Sequence, residues 1–239
     1  MRKFLKRVVQ TGYAASRRLR NLTFALGLAV SPLLSGSPAF AADPVTVVAL
    51  GDSLTAGYGL PDGEGFVPQL QSWLDRQGAG AIVLNAGVSG DTTAGGLSRI
   101  DWALGPEADA LIVTLGGNDM LRGIPVAEVR ANLTGIMEAA KARGLPVLIV
   151  GMKAPLNWGP DYKRDFDAIY PDLAAEYGAA LADNFFAGLL ATGADPSDPA
   201  SLNAWMQSDG IHPNAAGVIL IAEGLGPDVM RLIAAARAE

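Results

Sequence analysis

The chain has 239 residues, half of them hydrophobic, so it can build an α/β domain with a substantial core, and disorder is excluded as its main state. It carries 18 basic and 24 acidic residues, and seven of the basic residues precede the first acidic one, so the remainder holds 11 basic against 24 acidic residues, a net charge of −13. Because so acidic a surface repels phosphate groups at long range, a nucleic-acid partner is disfavoured.

Residues 1–41 have the features of a secretory signal peptide. The seven Lys and Arg residues are followed by an apolar segment and by an A-x-A pattern at 39–41. We therefore expect cleavage before Ala42, a periplasmic or secreted protein, and a single domain over 42–239. The twin arginine Arg17-Arg18 leaves both the general and the twin-arginine export routes open. The alternative is an uncleaved membrane anchor, but the apolar run is shorter than the roughly 18 to 20 residues of a spanning helix, so we expect no stable membrane insertion.

Short aliphatic runs predict the strands of the domain. They are rich in β-branched residues and hydrophobic on both faces, which is typical of parallel strands covered by helices on each side. The runs span residues 45–50, 81–87, 110–119 and 146–155, with a weaker fifth candidate over 179–186.

Longer amphipathic segments between these runs predict helices. They span residues 65–78, 126–144, 161–178 and 214–238. Pro171 predicts a kinked helix or two short ones, and we expect the terminal helix to be interrupted or split near Gly224 to Pro227. The small and acidic residues of 191–201 predict a loop. Alternating strands and helices predict a three-layer α/β/α sandwich with a mainly parallel, flavodoxin-like sheet.

Unusual residues follow each of the first three predicted strands. Ser53 follows the first, "NAGVSGDTT" the second and "GGND" the third. Because the carboxyl ends of parallel strands meet at one edge of a sheet, we expect these residues to lie together there.

A serine becomes a nucleophile only when a base removes its proton, and His212 is the single histidine of the chain. Asp209 precedes it by three residues, close enough for a turn to bring its carboxylate to the imidazole and fix the ring's tautomer. Ser53, Asp209 and His212 are therefore the predicted catalytic residues. The absence of cysteine and of a second histidine disfavours a zinc site, and the predicted chemistry needs neither metal nor cofactor.

Acyl transfer also needs hydrogen-bond donors aimed at the developing oxyanion. The candidates are the backbone amides of Ser53 and Gly90 and the side-chain amide of Asn118. Taken singly, each motif has a simpler interpretation as a turn, a helix cap or a loop, and Asp52 and Asp119 are candidates for such structural roles. Their combination, in this order and at successive strand ends, favours catalysis.

These four blocks resemble those of the SGNH, or GDSL, hydrolases. "GDSLTAGYGL", "NAGVSGDTTAGGLSRI", "TLGGNDMLRG" and "DGIHPNAAG" correspond to the blocks that carry Ser, Gly, Asn and His in that family. The residues of these blocks are most similar to those of a bacterial periplasmic branch described as arylesterases, acyl-CoA thioesterases or lysophospholipases. The resemblance implies that Ser53 is the nucleophile, His212 the base and Asp209 its orienter, with Ser53, Gly90 and Asn118 as the oxyanion hole.

The resemblance implies a serine esterase acting on small-molecule acyl esters or thioesters, which we expect to be a monomer. Apolar residues near the site loops either line an acyl groove or cap the core: Leu54, Leu121, Ile124, Pro155, Leu156 and Trp158. The segment 191–206 is a candidate cover for the acyl site. A carbohydrate O-acetyl esterase is the alternative enzyme, and a periplasmic binding domain without turnover is the non-enzymatic alternative.

Overall fold

The aliphatic runs form one five-stranded parallel β-sheet in the computed structural model, which describes residues 43–195 and 198–238. The strand order is β2-β1-β3-β4-β5. The strands are β1 Val45–Gly51, β2 Ala81–Gly87, β3 Ala110–Thr114, β4 Val147–Val150 and β5 Ala180–Ala182. All four pairings are parallel, so the predicted α/β sandwich with a flavodoxin-like sheet is confirmed.

Helices cover both faces of this sheet. In chain order they are α1 Ser53–Ala56, α2 Phe66–Arg76, α3 Thr93–Ser98, α4 Ile100–Ala103, α5 Gly117–Arg122, α6 Val126–Ala142, α7 Pro160–Tyr177, α8 Ala187–Leu190, α9 Pro199–Leu202 and α10 Ala215–Ala236. α10 packs against α2 and α8, whereas α6 packs against α3, α4 and α7. β1, β3 and β4 between the two layers are almost wholly buried, as their continuous aliphatic sequences predict.

Two helices continue through prolines, where the sequence predicts a kink or a break at Pro171 and an interruption near Pro227. α7 is one helix with Pro171 inside it, and α10 runs unbroken through Pro227, so the expected interruption of α10 was wrong. A proline removes one backbone hydrogen bond, but here each helix buries an apolar face on both sides of the proline, from Phe166 to Leu173 in α7 and from Ile221 to Ile233 in α10. Packing therefore outweighs the lost hydrogen bond.

The predicted loop over 191–201 contains the start of one further element. α9 begins at Pro199, and the Asp198 carboxylate caps it by accepting a hydrogen bond from the Ala200 amide at 3.0 Å. An aspartate followed by proline is a helix-start signal that the loop prediction did not use.

The predicted signal peptide, its cleavage site before Ala42 and the first residue of the predicted domain lie outside the described residues. Among the helices that the structure does describe, none combines the length and the apolar character needed to cross a membrane.

Candidate active site

Ser53 lies at the carboxyl end of β1, where it begins the short helix α1. The chain can turn here because both ends of the helix are capped. The Asp52 carboxylate accepts a hydrogen bond from the Leu54 amide at 3.0 Å, and Gly57 ends the helix in a left-handed conformation with φ of 83°. The strand-turn-helix sequence thus presents the Ser53 hydroxyl at the edge of the sheet.

The structure brings Ser53, His212 and Asp209 into one hydrogen-bonded chain. Nε2 of His212 lies 2.8 Å from the Ser53 hydroxyl oxygen, although the two residues are 159 positions apart. Nδ1 of His212 lies 2.7 Å from Oδ2 of Asp209. With its proton on Nδ1, the imidazole donates to the carboxylate and leaves Nε2 free to accept the hydroxyl proton.

A tight turn holds the Asp209 carboxylate in place. Its Oδ1 accepts hydrogen bonds from the backbone amides of Ile211 at 2.9 Å and His212 at 3.0 Å, while Oδ2 faces the imidazole. The hydrogen bond from the His212 side chain, followed by these two backbone amides, lowers the pKa of Asp209 to about 2. Asp209 is therefore an anion at neutral pH and can stabilise a protonated imidazole.

The other two predicted site residues lie on the loops after β2 and β3. Gly90 adopts φ of 86°, a conformation that side chains disfavour, and its carbonyl accepts a hydrogen bond from Nη2 of Arg122 at 2.8 Å. Asn118 lies in the first turn of α5, and its side-chain nitrogen donates to the Asp91 carbonyl at 2.9 Å. Helix α5 therefore contacts the Gly90 loop at two points.

The Asn118 amide also has a second, longer contact, in which its nitrogen lies 3.3 Å from Oδ2 of Asp52. Both hydrogens of the amide group thus have acceptors in the free site. The longer bond is the one more easily exchanged for a bond to a negatively charged substrate oxygen.

Asp52 and Asp119 are buried carboxylates with structural partners, which agrees with the simpler interpretation of both residues. Asp119 accepts hydrogen bonds from the Thr93 amide at 2.9 Å and the Thr93 hydroxyl at 2.6 Å. Asp52 is only 2% exposed, and its burial raises its pKa to about 6, although the Leu54 amide and Asn118 partly oppose the shift.

A cavity of about 780 Å³ opens beside the Ser53 hydroxyl, and Gly90, Asn118 and His212 share its lining. Of the six candidate groove residues, Leu54, Leu121 and Pro155 line it. Ile124, Leu156 and Trp158 are not among the described residues that line it, so the groove alternative is supported for only three of the six. Apolar residues that the sequence analysis did not single out line it as well: Met120, Met152, Phe186, Leu189, Leu190, Leu202 and Met206.

Leu202 and Met206 belong to the segment 191–206, so this segment does contribute to the cavity wall. Trp158 has a different role, because its indole nitrogen donates to the Met120 carbonyl at 2.7 Å. In the described part of the chain, no cluster of three or more His, Asp or Glu side chains could hold a metal ion.

Sequence reasoning did not predict that Arg99 and Tyr58 contact the residues and loops of the site. Arg99 pairs with Asp91 at 2.7 Å and donates to the Gly51 carbonyl at 2.9 Å, which ties the loop after β2 to the end of β1. The ring of Tyr58 lies against the His212 imidazole, with centroids 4.6 Å apart. No local pattern in the sequence marks the contacts of Arg99 with Gly51 and of Tyr58 with His212, because both join distant parts of the chain.

The comparisons with known proteins agree with this geometry. The sequence model of the GDSL-like lipase/acylhydrolase family matches residues 49–218. The chain is 38% identical to esterase TesA of Pseudomonas aeruginosa over 79% of its own length and 89% of that protein. It is 34% identical to thioesterase 1/protease 1/lysophospholipase L1 of Escherichia coli strain K12, over 79% of its length and 85% of the relative.

A solved structure extends the similarity to three dimensions. The crystal structure of AlinE4, an SGNH-hydrolase family esterase, superposes with a TM-score of 0.63 at 43% sequence identity, covering 79% of this chain and 96% of AlinE4. The family match spans all four sequence blocks up to the first turn of α10. The chain is therefore a member of the GDSL-like lipase/acylhydrolase family.

Proposed function

We propose that the protein is a serine esterase that hydrolyses carboxylic esters and thioesters through an acyl-serine intermediate. The observation that carries the proposal is the chain of two hydrogen bonds from Ser53 through His212 to Asp209, at 2.8 and 2.7 Å. This arrangement supplies an alcohol with a base, and the base with an orienting anion, beside an open cavity.

In the first half of the reaction, the Ser53 oxygen attacks the substrate carbonyl carbon while Nε2 of His212 accepts the hydroxyl proton. The carbonyl π electrons move to oxygen, and the backbone amides of Ser53 and Gly90 with the Asn118 side chain donate to that oxyanion. Collapse of the tetrahedral intermediate breaks the bond to the leaving alcohol or thiol, which receives the proton from His212.

In the second half, His212 takes a proton from a water molecule as that water attacks the acyl-serine. The carboxylic acid leaves, and the proton returns to the Ser53 oxygen. Asp209 stabilises the protonated imidazole in both halves without itself taking a proton, consistent with its pKa of about 2.

The cavity favours substrates with an acyl chain longer than acetate. Its wall next to the site is built from aliphatic, methionine and phenylalanine side chains, which would contact a hydrocarbon chain. Medium-chain esters, thioesters and lysophospholipids fit this lining better than sugar acetates do. The esterase and thioesterase/lysophospholipase names of the two curated relatives support the same substrate class.

The variant Ser53→Ala tests the chemistry. We expect it to lose hydrolysis of p-nitrophenyl octanoate and labelling by a fluorophosphonate, with little change in thermal unfolding, since only one hydroxyl is removed. An active Ser53→Ala enzyme would refute the assignment, and a wild-type protein that fluorophosphonate does not label would favour the binding-domain alternative.

A panel of p-nitrophenyl acetate, octanoate and palmitate tests the substrate class. We expect kcat/KM to be highest for octanoate. A strong preference for acetate, together with release of acetate from sugar esters, would favour the carbohydrate O-acetyl esterase instead.

We also propose that residues 1–41 direct export and are removed, and that 42–239 is a monomeric enzyme in the periplasm or outside the cell. The basic residues, the apolar segment and the A-x-A pattern of residues 1–41 support export and cleavage. Mass spectrometry of the exported protein should give an N-terminus at Ala42, and gel filtration with light scattering should give the mass of one chain.

A further inference from the structure

Ser53 and His212 lie in two parts of the chain that share no strand or helix. Ser53 begins helix α1, and Tyr58 lies in the loop after this helix, where its amide donates to the Ser53 carbonyl at 3.0 Å. His212 belongs to a loop between α9 and α10, 159 residues later. Their separation must therefore be fixed by contacts between the two loops.

Gln207 makes such a contact through its side chain. Its Nε2 donates one hydrogen bond to the Tyr58 carbonyl at 2.8 Å and another to the Pro213 carbonyl at 3.0 Å. One neutral amide group thus joins Tyr58, in the loop after α1, to Pro213, the residue that follows His212.

The backbone of Gln207 adds a third bond. Its amide donates to the His212 carbonyl at 2.8 Å, next to the antiparallel bridge between Met206 and Pro213. The successive carbonyls of His212 and Pro213 therefore both accept hydrogen bonds from this one residue. Gln207 is half-buried, and its bond to Pro213 is partly buried, whereas its bond to Tyr58 is exposed.

Gly59 leaves the space that the Gln207 side chain fills. A Cβ atom at Gly59 would collide with Oε1 of Gln207, and Gly59 has φ of 75°. The ring of Tyr58, whose carbonyl Gln207 holds, lies against the His212 imidazole at 4.6 Å. Gln207 therefore fixes both the backbone that carries the imidazole and the residue that packs on its ring.

We propose that Gln207 is a positioning residue, which sets the distance between the Ser53 hydroxyl and the His212 imidazole without touching the substrate. The inference rests on the proposed function, because it assigns Gln207 a role in proton transfer between those two groups. A misplacement of reacting groups by about 1 Å can lower the rate on the order of 10²-fold. The hydrogen bonds of Gln207, which hold the imidazole relative to the Ser53 hydroxyl, should therefore have a large effect on kcat.

The test compares Gln207→Ala and Gln207→Glu with the wild type, using p-nitrophenyl octanoate. We expect both variants to lose about tenfold or more in kcat with KM changed less than twofold. The glutamate variant keeps the shape of the side chain, but its carboxylate has no hydrogen to donate to the two carbonyls. A Gln207→Ala kcat within twofold of wild type, a rise in KM alone, or full activity of Gln207→Glu would overturn the proposal.

Two alanine substitutions, one at Gly59 and one at a matched control glycine, test the same contact from the Tyr58 loop. Gly59→Ala should lower kcat at least fivefold by displacing the Gln207 amide. Gly63→Ala is its control, because Gly63 also has a left-handed φ, of 89°, but nothing within 4 Å of an added Cβ. Equal kcat in the two variants would contradict the proposal, even if the Gln207 variants do not fold.

Because the chain has a single histidine, imidazole ¹⁵N NMR on untagged protein gives a readout independent of turnover. In Ser53→Ala the Nε2 resonance should move, because its hydrogen-bond partner is gone, and Gln207→Ala should move it in the same direction. An unchanged Nε2 resonance in Gln207→Ala would overturn the positioning role. An inactive wild type with the expected NMR shifts would instead overturn only the esterase function.

Discussion

Replacing Asp52 by Asn should make the protein more stable relative to the wild type as the pH rises, by an amount that the Asp52 titration sets. The Asp52 carboxyl is 2% exposed, and burial raises its pKa from the ordinary 3.8 to about 6. The folded protein therefore holds this proton more tightly than the unfolded chain does. The resulting stabilisation is fully present below pH 3.8 and is lost as the pH rises through 6.

The size of the effect follows from the shift. A difference of about two pKa units corresponds to about 3 kcal/mol of unfolding free energy, of which about 2 to 2.5 kcal/mol changes between pH 4 and pH 7.5. The variant Asp52→Asn lacks this titration. Its free energy of unfolding minus that of the wild type should thus increase by about 2 to 2.5 kcal/mol over that interval, whatever constant offset its altered hydrogen bonds add.

Urea denaturation at pH 4, 5, 6 and 7.5 measures this difference, because the effects of titrating groups that do not interact with Asp52 cancel between the two proteins. The exposed Asp62, on the loop after α1, offers a matched control. Asp62→Asn should show a difference that stays nearly constant with pH. A difference for Asp52→Asn that is equally flat, or that decreases with rising pH, would show that the buried carboxylate carries no such cost.

Three further substitutions test individual contacts. Asn118→Ala should lower kcat by on the order of 10²-fold with little change in KM, because one oxyanion donor is lost. Steady-state kinetics measures both constants, and a rise in KM alone would show that Asn118 binds the substrate instead. Asp209→Asn should lower kcat by on the order of 10⁴-fold, because an amide stabilises neither the required imidazole tautomer nor its protonated form, and near-normal kcat would contradict the proposed role. Thr93→Val should lower the free energy of unfolding by about 1 to 3 kcal/mol, since buried Asp119 loses its hydroxyl donor at 2.6 Å, and an unchanged urea midpoint would contradict that expectation.

Much of the architecture could be predicted from the sequence because its signals are local or topological. The continuous aliphatic runs indicate buried parallel strands, and parallel strands direct their carboxyl ends to one edge. A single histidine then leaves only one imidazole that could serve Ser53. The proximity of Ser53 and His212, at 2.8 Å, follows the expectation from these two arguments together.

The features that sequence reasoning missed depend on tertiary packing. The unbroken α10 follows from the apolar face that it buries on both sides of Pro227, which helix propensity does not include. Its position near a site loop left Trp158 with two possible roles, in the groove or on the core, and neither includes the hydrogen bond that its indole donates to the Met120 carbonyl. The contact of Gln207 with Tyr58 spans 149 residues and leaves no periodic or compositional signal.

The burial of Asp52 also links stability to the geometry of the oxyanion hole. Its carboxylate caps α1 through the Leu54 amide and accepts from Asn118 at 3.3 Å, so the charge that costs stability also orients a predicted oxyanion donor. In Asp52→Asn a second amide would face Asn118, and wherever its nitrogen replaces Oδ2 the two groups present donor to donor. We therefore expect the stability of the variant, relative to that of the wild type, to rise with pH while its kcat decreases and its KM stays nearly constant. A loss of stability with unchanged kcat would mean that Asp52 is retained for the cap alone. A relative stability that rises with pH, together with a lower kcat, would mean that the site keeps a costly buried charge for the sake of catalysis.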